Sequence, residues 1–351
     1  MKNFINPEIE ILLMKIAILS PITWRTPPTK YGPWEQVASN IAEGMVQRGN
    51  DVTLFATGNS TTEGKLSFVC NTTLGEDTKL DPKVWECLHI SHLMEYANDF
   101  DIIHNHFDFL PLTYSQLIDT PMITTIHGFS SEQILPVYKK YNKTTAYISI
   151  SKSDQHKDLS YLCTIYHGIN PVDFPFSKNK ENYLLYFGRI HPDKGTHLAI
   201  EIAKNAGLPL KIAGLIQDQH YYETQVKPHI DNHLVTFEGN ANSIDRNKLM
   251  GNAKALLHPI CFEEPFGLSV AEAMMSGTPV IAFNRGSMPE LIMDGKTGFL
   301  VKDVAEATKA VGKLSTIDPQ FCRDHAIKKF SIHRMVDDYL AAYHHVISGG
   351  N

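Results

Sequence analysis

Apolar and polar positions along the chain fall into two repeating blocks. In each, short apolar or β-branched runs alternate with longer stretches whose apolar residues return every three or four positions. That is the pattern of strands and helices built around parallel sheets. In the first block, runs at 15–19, 52–56, 102–104, 122–126 and 146–150 predict five strands. Between the first two, Ala38, Ile41, Ala42, Met45 and Val46 mark one face of a helix over 35–48, with Gly49 as its stop. The rhythm breaks over 166–180, where Gly168, Pro171 and Pro175 sit among polar residues. It restarts with runs at 183–187, 209–213, 234–237, 255–258 and 279–283. A last helix opens on Ser331 as N-cap and carries Met335, Val336, Tyr339, Leu340 and Tyr343 on one face.

Two doubly wound α/β domains are therefore expected: residues 14–166, a linker at 167–182, residues 183–330, and a terminal helix at 331–351. Met14-Lys15-Ile16 reads as a natural start, which makes residues 1–13 an expected extension outside the fold. Length agrees, since 351 residues exceed what one hydrophobic core organises.

With 32 basic against 38 acidic residues the chain lacks the basic balance of a nucleic-acid binder, and small molecules are the expected partners. Five scattered cysteines form no CxxC pair and no zinc-like cluster, which fits a reducing cytoplasm. The apolar run over 11–19 is broken by Lys15 and preceded by Glu8 and Glu10, so it reads as a buried strand and not as a secretion signal. No apolar stretch has the length of a bilayer span.

Open parallel sheets bind ligands beyond the carboxyl ends of their strands, where loops enter helices. Two such loops carry chemistry. After the run at 183–187, Gly188-Arg189-Ile190-His191-Pro192-Asp193-Lys194-Gly195 places two cations ahead of a helix, an arrangement suited to a diphosphate or simply to a solvated loop. After the run at 255–258 comes Glu264-Pro-Phe-Gly-Leu-Ser-Val-Ala-Glu272. Pro265 suits a helix N1 position, leaving the Gly267 and Leu268 amides among the open donors and placing the two carboxylates about 12 Å apart along the helix. They could then grip opposite ends of an extended ligand.

Glu264 to Met274, followed by Gly277-Thr-Pro-Val and Gly286-Ser-Met-Pro-Glu290, resembles the donor-binding half of the GT4 family of glycosyltransferases, and Gly188-Arg189 with Lys194-Gly195 is similar to that family's phosphate-contacting loop. The resemblance covers nearly the whole chain from Met14 onward. It implies the GT-B fold, two Rossmann-like domains facing a central cleft with the C-terminal helix crossing back to the first. It implies a retaining transfer of a sugar from a nucleotide-diphosphate donor, UDP-sugar first and GDP-mannose second, to a hydroxyl of a glycan, lipid-linked or small-molecule acceptor. Neither a metal nor a cofactor is expected.

Role by role, the resemblance implies that Arg189 and Lys194 neutralise the leaving diphosphate, that Glu272 holds the ribose, and that Glu264 binds donor-sugar hydroxyls. It adds Gly239, Phe266, Gly267 and Leu268 to the donor set. His127, in the His127-Gly128 pair closing the run at 122–126, would contact the donor sugar, although such a pair alone is more often structural. The family's double-glycine loop keeps Gly32 here but has Pro33 in second place, which lacks an N–H donor. Trp34 fits an acceptor platform or a helix-entry packing residue, and His106 fits an acceptor-cleft lining.

Several features point elsewhere. Asp99-Phe100-Asp101 matches a DxD metal motif but stands before its strand, at the wrong end of the sheet. His104-Asn105-His106 lacks a carboxylate or thiol set at metal-ligand spacing. The stretch 138–143 mixes tyrosines with lysines, which suits a solvated helix end or a weak peripheral membrane contact. A dinucleotide-dependent oxidoreductase would need a GxGxxG turn after the first strand, and residues 20–32 contain none. A non-catalytic carbohydrate-binding or scaffolding subunit is the alternative that the site residues argue against.

Overall fold

The computed structural model describes residues 13–29, 32–128 and 132–349; residues 1–12, most of the expected extension, lie outside it. Its strands form two parallel sheets. The first contains β1 (Lys15–Leu19), β2 (Asp51–Phe55), β3 (Lys65–Ser67), β4 (Ile102–Asn105), β5 (Met122–Ile126), β6 (Ala146–Ser149) and β7 (Cys163–Thr164), in the order 3-2-1-4-5-6-7. The second contains β8 (Leu184–Phe187), β9 (Leu210–Ala213), β10 (Val235–Phe237), β11 (Ala255–His258), β12 (Val280–Phe283) and β13 (Gly298–Val301), in the order 10-9-8-11-12-13. Every predicted strand is present, and the structure adds β3, β7 and β13 at sheet edges. After Lys15 all of β1 is buried, as befits a strand covered on both faces.

Each sheet reverses its order beside its first strand, between β1 and β4 and between β8 and β11, and these two switch points define where a ligand would sit. The helices of seven residues or more are α1 (Pro33–Gln47), α2 (Pro82–Glu95), α3 (Leu135–Tyr141), α4 (Thr196–Ala206), α5 (Ser243–Asn252), α6 (Leu268–Met275), α7 (Val304–Val311), α8 (Pro319–Phe330) and α9 (Ile332–Ile347). Both faces of each sheet carry an apolar cluster.

The terminal helix does cross back. Met335, Val336, Tyr339 and Tyr343 of α9 share a core with Ile16, Ala38, Ile41 and Met45. A Cβ on Gly44 of α1 would lie 2.3 Å from Val336 Cγ2, so the Val336 side chain rests directly on the α1 backbone. Ser331 caps α9 by accepting from the Arg334 amide at 3.3 Å, as predicted. The outward and return crossings are hydrogen-bonded to each other: the Ile169 amide donates to the Phe330 carbonyl at 2.7 Å, and the Ile332 amide to the Ile169 carbonyl at 3.1 Å.

Two stretches singled out in the sequence take structural places. Tyr138 and Tyr141 of α3 are buried and Lys139 pairs with Asp158 at 2.5 Å, so 138–143 offers no aromatic surface to a membrane. Asp101 accepts from the Lys15 amide at 2.7 Å, which makes Asp99-Phe100-Asp101 a turn that ties off the amino end of β1.

Candidate active site

Loops from both switch points converge on one cleft. In the second domain, the loop after β8 and the loop after β11 are locked together. Gly195 adopts a left-handed φ of 69°, and a Cβ there would sit 2.0 Å from the Pro259 carbonyl oxygen. The Cys261 amide donates to the Asp193 carbonyl at 2.7 Å. This clamp brings Lys194 Nζ to 2.5 Å from Glu264 Oε2, with Nζ also 4.7 Å from the centre of the Phe262 ring. His258 Nε2 lies 3.6 Å from the same oxygen, an electrostatic contact too long for a hydrogen bond. Burial alone would raise the Glu264 carboxyl, but His258 and Lys194 hold it at about 2. The His258 imidazole is pushed below its usual range by burial, against the pull of Glu264.

Gly286 and Ser287 brace this carboxylate from behind. A Cβ on Gly286 would lie 2.3 Å from the Glu264 nitrogen. The Ser287 amide donates to the Glu264 carbonyl at 3.0 Å, and its hydroxyl to the Phe266 carbonyl at 2.6 Å. Helix α6 starts at Leu268 with Gly267 as its N-cap at φ 89°, so Pro265 is not an N1 residue and Glu264 stands on the approach loop. The separation expected from a continuous helix between Glu264 and Glu272 therefore does not apply. The first-turn amides of α6 have no intrahelical acceptors, and the helix begins four residues after Glu264.

Glu272 is buried one helical turn onward and pairs with Arg246 of α5 at 3.1 Å. Burial raises its carboxyl and Arg246 opposes the rise. Arg189 donates to the Gln217 side chain and not to Glu264, so the two predicted phosphate cations have different partners. Gly239 follows β10 at φ 75° with open space where a Cβ would be, which leaves room for a ligand's close approach. Phe266 disagrees with a side-chain donor role: its ring is buried, 5.0 Å from His167 and 5.9 Å from Phe330, leaving only its backbone to contribute.

Across the cleft, His127 follows β5, and its Nε2 hydrogen-bonds His106 Nδ1 at 2.9 Å. The buried His127 Nδ1 has no partner among the described residues and is the ring atom left for a ligand. Trp34 stacks on the same ring, with centroids 5.3 Å apart and planes 20° from parallel. Gly32 stands at φ 153° before α1, and a Cβ there would meet Pro28 at 2.8 Å. His106 itself is fully buried, so it supports His127 and does not line an acceptor surface.

His104, His106, His127 and His167 form a row of rings ending on Phe266, which links the first domain to the second. Burial pushes all four imidazoles well below 6.5, with neighbouring histidines adding to the effect at His104, His106 and His127, so His127 acts as a neutral ring. The domains also meet where Glu290 accepts from the Lys152 amide at 2.9 Å, the Ser153 amide at 2.8 Å and the Tyr166 hydroxyl at 3.0 Å. Sequence reasoning did not find Arg246, His258, His167 or Glu290 as site or interface groups. Of these, only Glu290 belongs to a motif that carries the family resemblance.

Two family profiles match adjoining stretches of this chain: Glycosyltransferase Family 4 over residues 34–171 and Glycosyl transferases group 1 over residues 172–320. The chain belongs to the GT4 family of glycosyltransferases. Its two-sheet architecture is the GT-B fold. Among solved structures, AviGT4, a glycosyltransferase involved in avilamycin A biosynthesis, is 21% identical with a TM-score of 0.71, covering 96% of this chain and 99% of that one. Anabaena HepE, solved in complex with UDP, is 20% identical with a TM-score of 0.73, covering 94% and 99%.

Among curated relatives in the family, the glycogen synthase of Mycobacterium tuberculosis is 28% identical over 246 residues, which is 60% of this chain and 59% of that protein's length. An uncharacterized glycosyltransferase of Methanocaldococcus jannaschii is 25% identical over 335 residues, 82% of this chain and 85% of the relative. Among the described residues no helix is long and apolar enough to cross a membrane.

Proposed function

We propose that this GT4 protein is a retaining glycosyltransferase that moves a sugar from a nucleotide-diphosphate donor to an acceptor hydroxyl. The observation that carries the reading is the clamp of Lys194, Glu264 and His258 beside the α6 N-terminus, with Glu272 and Arg246 further along and the buried, unpaired Nδ1 of His127 opposite. Breaking the bond between the anomeric carbon and the diphosphate gathers negative charge on the leaving group. Lys194, Arg189 and the α6 amides are preorganised positive groups for it, which also supports a metal-independent reaction. Glu264 accepts donor-sugar hydroxyls, Glu272 accepts from the ribose, and neutral His127 hydrogen-bonds the sugar from the other side.

In the retaining step the acceptor oxygen bonds to the anomeric carbon on the face that the phosphate leaves. The bond from the anomeric carbon to the phosphate oxygen breaks, and the acceptor proton passes to the departing phosphate. A UDP-sugar is the first donor to try, because the HepE structure holds UDP, and GDP-mannose is the second, because the α-1,3/1,6-mannosyltransferase of Neurospora crassa is among the relatives. The acceptor is a glycan, a lipid-linked sugar or a small molecule, and the reaction belongs in the cytoplasm.

The test pairs thermal shifts in UDP, GDP and ADP with release of nucleotide from UDP-glucose, UDP-N-acetylglucosamine and GDP-mannose, since a nucleotide that binds only the folded state raises its stability. One nucleotide should stabilise the protein and the matching donor should turn over, with product of unchanged anomeric configuration by NMR. No stabilisation and no turnover with any donor would end the proposal.

A further inference from the structure

A cavity of about 390 Å³ opens in the first domain, at the carboxyl end of its sheet. The loop after β1, the start of α1, α2 and the loop after β4 enclose it. Its walls are aromatic, with Trp24, Trp34, Phe107 and Phe109, while its charged lining among the described residues consists of carboxylates alone: Glu35, Glu86 and Asp108.

The lining is fixed in place. Glu35, 3% exposed, accepts from the Trp24 amide at 3.2 Å and so ties the Trp24 loop to α1. Asp108 takes a left-handed φ of 75°, its carbonyl accepts from Asn105 Nδ2 at 2.8 Å, and its carboxylate accepts from the Tyr138 hydroxyl. Trp34 is also the ring stacked on His127, so the cavity shares a wall with the proposed donor-sugar position.

We infer that this cavity takes the acceptor as a sugar ring carrying no negative charge, laid against Trp34 with its hydroxyls donating to the cavity carboxylates. Calling that ring the acceptor rests on the transferase reading; the charge selection rests on the cavity alone. An indole face carries the negative side of the ring quadrupole, which attracts polarised C–H bonds and repels anions. Carboxylates accept hydroxyl protons well, and in a partly desolvated pocket they oppose a phosphate strongly. Rejection by like charge is thus built into the lining beside attraction to the ring. Burial lifts the Glu35 carboxyl to about 7, so it is only partly charged at neutral pH, and the repulsion of an anion falls to Asp108 and the half-buried Glu86.

The experiment titrates intrinsic tryptophan fluorescence, to which Trp24 and Trp34 contribute two of the chain's three indoles. The ligands are the methyl glycosides of glucose, galactose, mannose and N-acetylglucosamine, and the 6-phosphates of the same sugars, each with and without UDP. At least one neutral glycoside should quench saturably, and its 6-phosphate should bind at least about tenfold more weakly. Trp34→Ala should abolish the response. Glu86→Lys, on a half-buried wall, should leave the fold intact and shrink the gap between neutral and phosphorylated sugar at least about threefold. A 6-phosphate that binds as tightly as its neutral parent, a panel with no saturable response, or a gap unchanged in Glu86→Lys overturns the inference. The UDP thermal shift is read on the same samples, so a failure of donor binding is seen separately from a failure of the cavity.

Discussion

Replacing Lys194 by methionine removes a charge and keeps an unbranched stem over the Phe262 ring. Glu264 then loses its 2.5 Å partner and retains only a neutral imidazole 3.6 Å away. In the intact protein burial works to raise this carboxyl, and His258 with Lys194 hold it at about 2 against an ordinary 4.5. The folded state therefore binds this proton less readily than the unfolded chain. The resulting stabilisation is complete above about pH 4.5 and fades as the pH falls toward 2. At face value the shift is worth about 3 kcal/mol, of which Lys194 supplies roughly half because His258 shares the load. Leaving the carboxylate buried and unpaired adds to the loss, for a total of about 2–4 kcal/mol at pH 7. Urea denaturation of both proteins from pH 7 to pH 3 measures it: the gap should be widest above pH 5 and narrow from pH 4 to pH 3. Turnover of donor should fall about 10²- to 10³-fold. A stability loss that does not vary with pH would assign the effect to packing, and no loss at pH 7 would refute the argument outright.

Three further outcomes are expected. Glu272→Gln removes a carboxylate whose charged form burial disfavours, so the melting temperature should hold or rise. UDP affinity should nonetheless drop by about ten- to a hundredfold as hydrogen bonds to a charged acceptor are lost, and an unchanged affinity contradicts the ribose role. Gly195→Ala forces a Cβ to within 2.0 Å of the Pro259 carbonyl at a φ of 69°, so stability should fall by about 1–3 kcal/mol together with turnover; wild-type values in both would show that the two loops are not clamped. Gly44→Ala drives α1 against Val336 of α9 and should cost about 1–3 kcal/mol, partly recovered when Val336→Ala is added; strictly additive losses in that double-mutant cycle would deny the contact.

The central strands were legible because strands covered on both faces read as unbroken apolar runs, as in Ile16-Ala17-Ile18-Leu19. Two of the edge strands were not: β3 and β7 contribute two or three residues each, none fully buried. Helix α2 escaped because only His89, Ile90 and Leu93 face inward, too few to mark a stripe. In the site, Arg189, Lys194, Glu264 and Glu272 were visible since each belongs to a recognisable loop, or the helix it leads into, after a strand. Arg246 comes from another helix, α5, a pairing that no local pattern reveals, and His258 was hidden as the last residue of the apolar run that forms β11. The misplaced start of α6 has a local cause. Pro265 is permitted at a helix N1 position, but the left-handed Gly267 is the N-cap and the helix begins at Leu268, three residues later.

Val336, Tyr339 and Tyr343 fill the core on one face of the first sheet, yet they are encoded after the whole second domain. During synthesis the apolar surface of Ile41 and Met45 has to wait for them. At 5–20 residues per second, the stretch between Thr164 and Ile332 takes roughly 10 to 30 s to emerge. The half of the molecule made first is therefore the half completed last, and its exposed face in that interval is a natural surface for a chaperone. Substitutions in α9 should lower the yield of folded protein in cells by more than their effect on the stability of the purified protein.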